Sequence, residues 1–345
     1  MARVAIGLDL GHSAIKLVEL RRGKQPQVKR AMLLPIPAGV ISGGVILKPD
    51  VVIEALSGVA PVLRMDRAMV VAGIAGTQVH VRPVQVRDAS TAELYPAVMQ
   101  EFAAALRLQP EDEDTYYLDY ALLPSTAATE RDVLTVGLRR SDAATYADVL
   151  REAHMPAHVL DVQAFALPRI RPQDGRVCYI DIGTEQTQVL VVANGEYELY
   201  RLLPVGMRRL RSEVARAYDI NEDEAIELQQ EKHIDMLLIQ APGQRTPMQA
   251  VVDEIVGGII QTLEFMRARQ RAVSVGELLP HAYLSGCGAL QKGMDILLSE
   301  EIGINVSIAE VFTYCQGVDN LPLEVRAAEP LFAGALGLAL RGLDE

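Results

Sequence analysis

The sequence predicts a two-lobed α/β fold, and three observations carry that prediction. A strand, a turn bearing aspartate and glycine, and a second strand occur twice, half a chain apart: residues 6–20 read IGLDLGHSAIKLVEL and residues 177–192 read VCYIDIGTEQTQVLVV. Each copy runs into a third strand with a matching end, MLLP at 32–35 and RLLP at 201–204. The chain has 345 residues, 50% of them apolar, which suffices for two cores at roughly 100–200 residues per domain. Self-similarity over half a chain points to two related halves.

In the first copy, strand alternation places Val4, Ile6 and Leu8 on one face and Ala5, Gly7 and Asp9 on the other. Asp9 thus ends a strand on a face of small residues. After the turn, Lys16 sits in the second strand among apolar neighbours. In the second copy Asp181 and Gly183 take the places of Asp9 and Gly11, and Asn194-Gly195 supplies a two-residue hairpin turn favouring positive φ. A lone Asp-x-Gly at a strand end is ordinarily only a turn. Two facing copies form a phosphate clamp, because turn amides point inward and glycine lets a polyphosphate approach the backbone. The two aspartates suit a hydrated Mg2+ between them and the phosphates, and Lys16 would answer the β/γ-phosphate charge, its stem held extended by the strand.

Further along, residues 88–150 have no counterpart in the second half and predict a small α/β insertion. Ser90 with Glu93 marks a capping box before a helix over 94–106 that Pro96 kinks or delays, two strands follow, and PEDEDT at 110–115 reads as a solvated loop. In the second half Asn221 with Glu224 caps another helix. Val252, Ile255, Ile259, Leu263 and Met266 form a core stripe at helical spacing. Residues 281–290, HAYLSGCGAL, read as a strand and a glycine turn, where Gly286 and Gly288 would let a flat ring pack on the backbone. A dinucleotide fingerprint needs a third glycine where Gln291 stands, and there is no Walker sequence. Residues 331–340, LFAGALGLAL, are about half the ~20 residues of a spanning helix and read as a buried one.

Charge and composition exclude several classes. The net charge is −12 with dispersed lysines and arginines, so the basic footprint of a nucleic-acid binder is missing. Three distant cysteines give neither a disulfide framework nor a zinc spacing, and charges at Arg3, Asp9, Lys16 and Glu19 interrupt any secretory signal. The expectation is a cytoplasmic protein with no membrane-crossing segment.

The ordered set of these motifs, with SDAATYADVLREAHMPAHVLDVQAFAL at 141–167, LLPVG at 202–206 and PLFAGALGLALRGL at 330–343, resembles the superfamily that joins actin, the chaperone ATPases and the sugar kinases. Within its FtsA-like branch the chain is similar to the PilM family of type IV pilus assembly. The resemblance implies an actin-like two-lobed ATPase fold with duplicated ribonuclease H-like domains and an inserted subdomain of the FtsA 1C type. It divides the chain into a first lobe (1–87), the insertion (88–150), a first-lobe strand and connecting helix (151–174), a second lobe (175–330) and a last helix returning to the first lobe (331–345). It assigns Asp9, Gly11, His12, Ser13 and Lys16 to a first phosphate loop and Asp181, Gly183, Thr184, Gln186 and Thr187 to a second. Gly206 falls near the ribose, Gly286, Cys287 and Gly288 in the adenosine loop, and Gln163 at the position that orients attacking water. ATP or ADP with Mg2+ held by Asp9 and Asp181 through water is the implied cofactor, Asp9, Gln163 and Asp181 being the implied catalytic set.

Two departures from the family pattern weaken the expected turnover. Ile226 and Gln229 stand where the family commonly has glutamate and lysine, and Cys287 replaces a glycine. The implied function is a nucleotide-binding scaffold that docks the N-terminal tail of a PilN-type inner-membrane protein near residues 70–88 and the insertion's helices, reaching the membrane only through that partner and assembling with itself as a ring or filament. The alternatives are an active ATPase or small-molecule kinase, for which Asp161 is the candidate base, and a filament-forming bacterial actin.

Overall fold

The computed structural model describes residues 3–87, 91–124, 129–171, 173–238 and 246–345. The chain opens with β1 (Val4–Leu10), β2 (Ala14–Arg21), β3 (Gln27–Pro35), a short hairpin of β4 (Ile41–Ser42) and β5 (Val45–Ile46), α1 (Pro49–Ser57) and β6 (Ala68–Ile74). There follow β7 (His80–Arg87), α2 (Thr91–Leu106), β8 (Tyr116–Leu122), β9 (Glu130–Arg139), α3 (Arg140–Glu152), β10 (Val159–Val162) and α4 (Gln163–Ile170). The second half contains β11 (Arg176–Ile182), β12 (Thr187–Ala193), β13 (Glu196–Leu203), α5 (Met207–Tyr218), α6 (Glu222–Glu231), α7 (Ile234–Leu238), α8 (Pro247–Gln270), α9 (Val275–Leu278), β14 (His281–Ser285), α10 (Met294–Ile302), β15 (Asn305–Ile308), α11 (Leu323–Ala327) and α12 (Ala333–Asp344).

The duplication is complete at the level of topology. One five-stranded sheet has the order β10-β6-β1-β2-β3 and the other β15-β14-β11-β12-β13. In both, the first three strands in sequence pair antiparallel and the remaining two are parallel. The turn after β14 is therefore the structural counterpart of the turn after β6, a correspondence the dissimilar sequences conceal. Asn194 and Gly195 join β12 to β13 at φ of 52° and 84°, the mirror-image turn expected of that pair.

Each sheet has its own core, and a third apolar cluster joins the lobes. Helix α12 forms the centre of that joint, packed on β1 and β6 and against α4. A helix apolar all round must be buried all round, and residues 333–339 are buried without exception. Gly7 shows how close the approach is: a Cβ there would lie 1.9 Å from the carbonyl oxygen of Ala335. The small-residue face of β1 is the seat of the last helix.

The small sheet has the order β7-β9-β8. Strand β7, assigned by the sequence to the first lobe, is hydrogen-bonded along its length to β9, so the pairing reaches upstream of residue 88. Helix α2 covers this sheet with Leu94 and Val98 against Val84, Val86 and Val133, and it carries Pro96 within its first half; Ser90, its expected cap, lies outside the described residues. The α6 capping box forms between Asn221 and Glu224, and the α8 stripe is buried from Val252 to Met266. Among the described residues, no helix is long and apolar enough to cross a membrane.

Candidate functional site

Asp9 is the next-to-last residue of β1, and the antiparallel register of β1 with β2 sets it directly opposite Lys16. The Lys16 ammonium donates to Asp9 Oδ2 at 3.0 Å, with both side chains largely buried. Burial opposes the lysine's charge, but Asp9, with Cys287 and Asp181 behind it, outweighs that cost and holds the ammonium above the ordinary lysine range.

The second lobe repeats the geometry with a different residue. Asp181, next to last in β11, lies opposite Gln188, so a neutral amide occupies the position that Lys16 holds in the first copy. Asp181 accepts from Ser285 Oγ at 2.7 Å and from Gln163 Nε2 at 3.5 Å. Burial, reinforced by the nearby Asp9 carboxylate, raises its carboxyl above the usual carboxylate range despite those donors and Lys16. Gln163, the first residue of α4, is fixed at both ends, since its Oε1 accepts from Gln188 Nε2, while Tyr200 donates to Gln188 Oε1 at 3.0 Å.

The two turns touch. The hydroxyls of Ser13 and Thr184 are 2.9 Å apart although separated by 171 residues, and Thr184 Oγ1 is 3.4 Å from Cys287 Sγ. Glu185 reaches across the cleft: its Oε2 accepts from Ser42 Oγ at 3.0 Å and from the Gly43 amide at 3.1 Å. His12 Nε2 stands 3.3 Å from the same oxygen, and Arg208 holds Oε1 at 2.6 Å. Burial lowers the His12 pKa, with Glu185 opposing. Nothing in the sequence marks Glu185, because a carboxylate within a phosphate turn reads as a solvated residue and Ser42 lies 143 positions away.

Two connected chambers occupy the cleft. The inner one, about 50 Å3, is walled by Asp9, Gly11, His12, Lys16, Gln163, Asp181, Gly183, Thr184, Gln186, Gly286 and Cys287. The outer one, about 350 Å3, lies between Ser13 and Lys16 on one side and Met207, Ile226, Gln229 and Gln291 on the other, sharing Lys16, Cys287 and Leu331 with the first. Three residues expected at the site stand behind its walls. Thr187 is fully buried and donates to the Val205 carbonyl at 2.9 Å. Gly206 packs under the second turn, where a Cβ would meet the carbonyl oxygens of Gly183 and Thr184, and Gly288 packs on the Ile182 side chain. Gly286 has φ of 76°, and a Cβ on it would come within 2.8 Å of Asp181 Oδ1, so the turn after β14 closes over the carboxylate only because it is glycine.

This donor set fits a polyanion carrying a divalent cation. The inner chamber offers one ammonium and two carboxylates, and among the described residues no group of three or more histidine, cysteine or acidic side chains is arranged for a metal. Two carboxylates without further protein ligands match Mg2+, which keeps several waters and takes substrate oxygens. Three residues lining the outer chamber carry an orphaned buried polar atom, the donors Arg211 Nε and Gln229 Nε2 and the acceptor Gln291 Oε1.

A family model described as type IV pilus assembly protein PilM matches residues 7–343. The chain belongs to this family. A solved structure titled "PilM-PilN type IV pilus biogenesis complex" superposes with a TM-score of 0.82 and 26% sequence identity over 99% of this chain and 99% of that one. The ethanolamine utilization protein EutJ from Carboxydothermus hydrogenoformans matches with a TM-score of 0.54 and 16% identity, covering 98% of this chain and 89% of that one. MreB5 of Spiroplasma citri bound to ADP matches with a TM-score of 0.53 and 12% identity over 96% and 94%. These last two share the fold, and the actin-like two-lobed architecture expected from the sequence is the one observed. Ile226, Gln229 and Cys287, at which a departure from the family pattern is expected from the sequence, all line the outer chamber.

Proposed function

We propose that the chain is an actin-like, nucleotide-binding scaffold of the type IV pilus assembly machinery that docks the N-terminal cytoplasmic tail of a PilN-type inner-membrane protein and is held at the membrane's inner face through it. The observation that carries this reading is the end-to-end likeness to the PilM–PilN complex within the matched family. A groove of about 500 Å3 between Ile74 and Leu160 of the first lobe, Tyr117 and Leu118 of β8, and Ala143, Ala144 and Ala147 of α3 suits an apolar tail. Strand β8 is an edge of the small sheet, so a tail in extended form can also pair with its backbone. Val70, the start of the stretch expected to line the groove, is buried within β6, Asp88 lies outside the described residues, and α3 supplies the helical wall.

In this reading the inner chamber takes the phosphates of ATP or ADP and the outer one the nucleoside. Mg2+ bound there through water would offset the charge of Asp9 and Asp181. Lys16 binds phosphate, and the Ser13 and Thr184 hydroxyls orient it. Hydrolysis is weak or absent because both ends of the Gln163 amide are engaged by Asp181 and Gln188. A kinase is disfavoured because its candidate base, Asp161, is held by Arg169 at 2.8 Å and Arg341 at 2.9 Å.

Calorimetric titration with a synthetic PilN-type N-terminal peptide tests the docking. Ala147→Arg, an exposed position on the groove wall, is expected to weaken binding at least about tenfold by filling the groove, with the thermal midpoint unchanged. Undiminished binding by the variant would reject the groove.

A further inference from the structure

Away from the cleft, two sheet edges face one groove. Beside Phe265 of α8, a cavity of about 540 Å3 is walled by His80 and Arg82 of β7 and by Leu199 and Arg201 of β13. A second cavity, of about 410 Å3, shares Leu199 and Phe265 with it and runs on past Pro83, Tyr197 and Arg269. Strand β7 is an edge of the small sheet and β13 an edge of the second-lobe sheet. An edge strand leaves a row of backbone N–H and C=O groups unpaired, a template for one further strand. The side chains add a chemical preference. Phe265 is 60% exposed and with Leu199 gives the groove an apolar anchor point. Arg82, Arg201 and Arg269 are exposed, and among the described residues none of them pairs with a carboxylate; the Arg82 guanidinium donates to the Val81 carbonyl of its own strand at 3.3 Å. Of the three acids in the wall, Glu198 is held by Arg176 and Asp132 accepts from Gln85, which leaves Glu196 at the hairpin end. In a chain of net charge −12, three unpaired cations along one groove reverse the local sign and favour an anionic occupant.

We propose that the groove between β7 and β13 is a second docking site, which takes an extended acidic segment of a partner protein. The segment adds to a strand edge, seats an apolar side chain on Phe265 and sets carboxylates against Arg82 and Arg201. Strand β8, which borders the groove proposed for the membrane partner's tail, is the opposite edge of the small sheet, so the two sites can be filled together. The inference depends on neither the tail groove nor the nucleotide. A second copy of this chain pairing through the same edges would bring arginine toward arginine, a like-charge contact that an acidic partner avoids.

The test is selection from a phage library of random twelve-residue peptides on the full chain, after depletion of the library on the full-length Phe265→Ser variant. Enriched peptides are expected to be net acidic and to carry at least one aromatic or aliphatic residue. The best of them, made synthetically, should bind the double variant Arg82→Ser, Arg201→Ser at least about tenfold more weakly than wild type. N-methylation of alternate backbone amides in the peptide should cost a similar factor, because strand addition uses its N–H groups. All three substituted side chains are exposed, so both variants should melt with wild type, which separates lost docking from lost folding. No enrichment over the depleted library, enrichment of basic or neutral peptides, or affinity indifferent to the arginines or to N-methylation would each overturn the proposal. Concentration-dependent dimerisation that Phe265→Ser abolishes would assign the groove to a second copy and overturn it equally.

Discussion

Asp9 and Lys16 face each other across the first hairpin at 3.0 Å, and the corresponding pair in the second hairpin, Asp181 and Gln188, lacks the cation. The pseudo-symmetric site is therefore electrostatically lopsided. The first carboxylate is neutralised within its own lobe, and the second has hydroxyl and amide donors only. This asymmetry leaves Lys16 as the one ammonium in the wall of the inner chamber.

Replacing Lys16 with alanine removes that cation and strips Asp9 of its partner. ATP affinity is expected to fall at least about tenfold, in keeping with the ~1.5–3 kcal/mol of a hydrogen bond to a charged group. Calorimetry with Mg2+-ATP reads this directly, and an unchanged affinity would separate the lysine from the phosphates.

Asp181 gives the nucleotide-free protein a pH signature. Its folded-state pKa is raised above the unfolded value of about 3.9. The protonated carboxyl therefore contributes stability that is fully present below that value and is lost as pH rises through the folded pKa. Asp181→Asn has no such loss, so the difference in melting temperature between variant and wild type should grow from acid to neutral pH, reaching about 2 °C in favour of the variant. Matching pH profiles for the two proteins would refute the assignment. With Mg2+-ATP present the ranking should reverse.

Glu185 latches the lobes through Ser42, Gly43 and His12. Glu185→Ala removes the acceptor of a half-buried amide and hydroxyl and should open the cleft. Small-angle scattering is expected to show a larger radius of gyration without nucleotide, and a fluorescent ATP analogue should dissociate about tenfold faster or more, since these are charge-assisted contacts. Identical scattering and identical dissociation would show that the contact carries no load.

Cys287 is the thiol that lines both chambers. Burial pushes Cys178 up to about 12 and Cys315 up to about 11, which slows their reaction at neutral pH. Maleimide should label Cys287 first, and saturating Mg2+-ATP should protect it severalfold. Labelling that ignores nucleotide would place the ligand elsewhere.

Much of the site is legible in the sequence because it is built by local rules. Strand alternation puts Asp9 and Asp181 at strand ends, recurrence at half-chain spacing shows two lobes, and an apolar ten-residue run marks the helix that ends up buried between them. Each of these patterns is written within one or two adjacent elements. Thr187 shows the limit of such reasoning: its place in the motif suggests a phosphate ligand, while strand geometry turns its hydroxyl toward the Val205 carbonyl.

By itself the sequence determined the duplicated hairpins, their carboxylates, the glycine turn at Gly286 and the family. Only the tertiary structure decided that β7 joins the small sheet, that Glu185 spans the cleft, that Asp161 is consumed by two arginines, and that Gln229 and Gln291 share one chamber. The physical reason is range. Periodicity, capping and turn chemistry act over a few residues and can be read along the chain, whereas these four relations depend on which distant surfaces the packing of two cores brings within hydrogen-bonding distance.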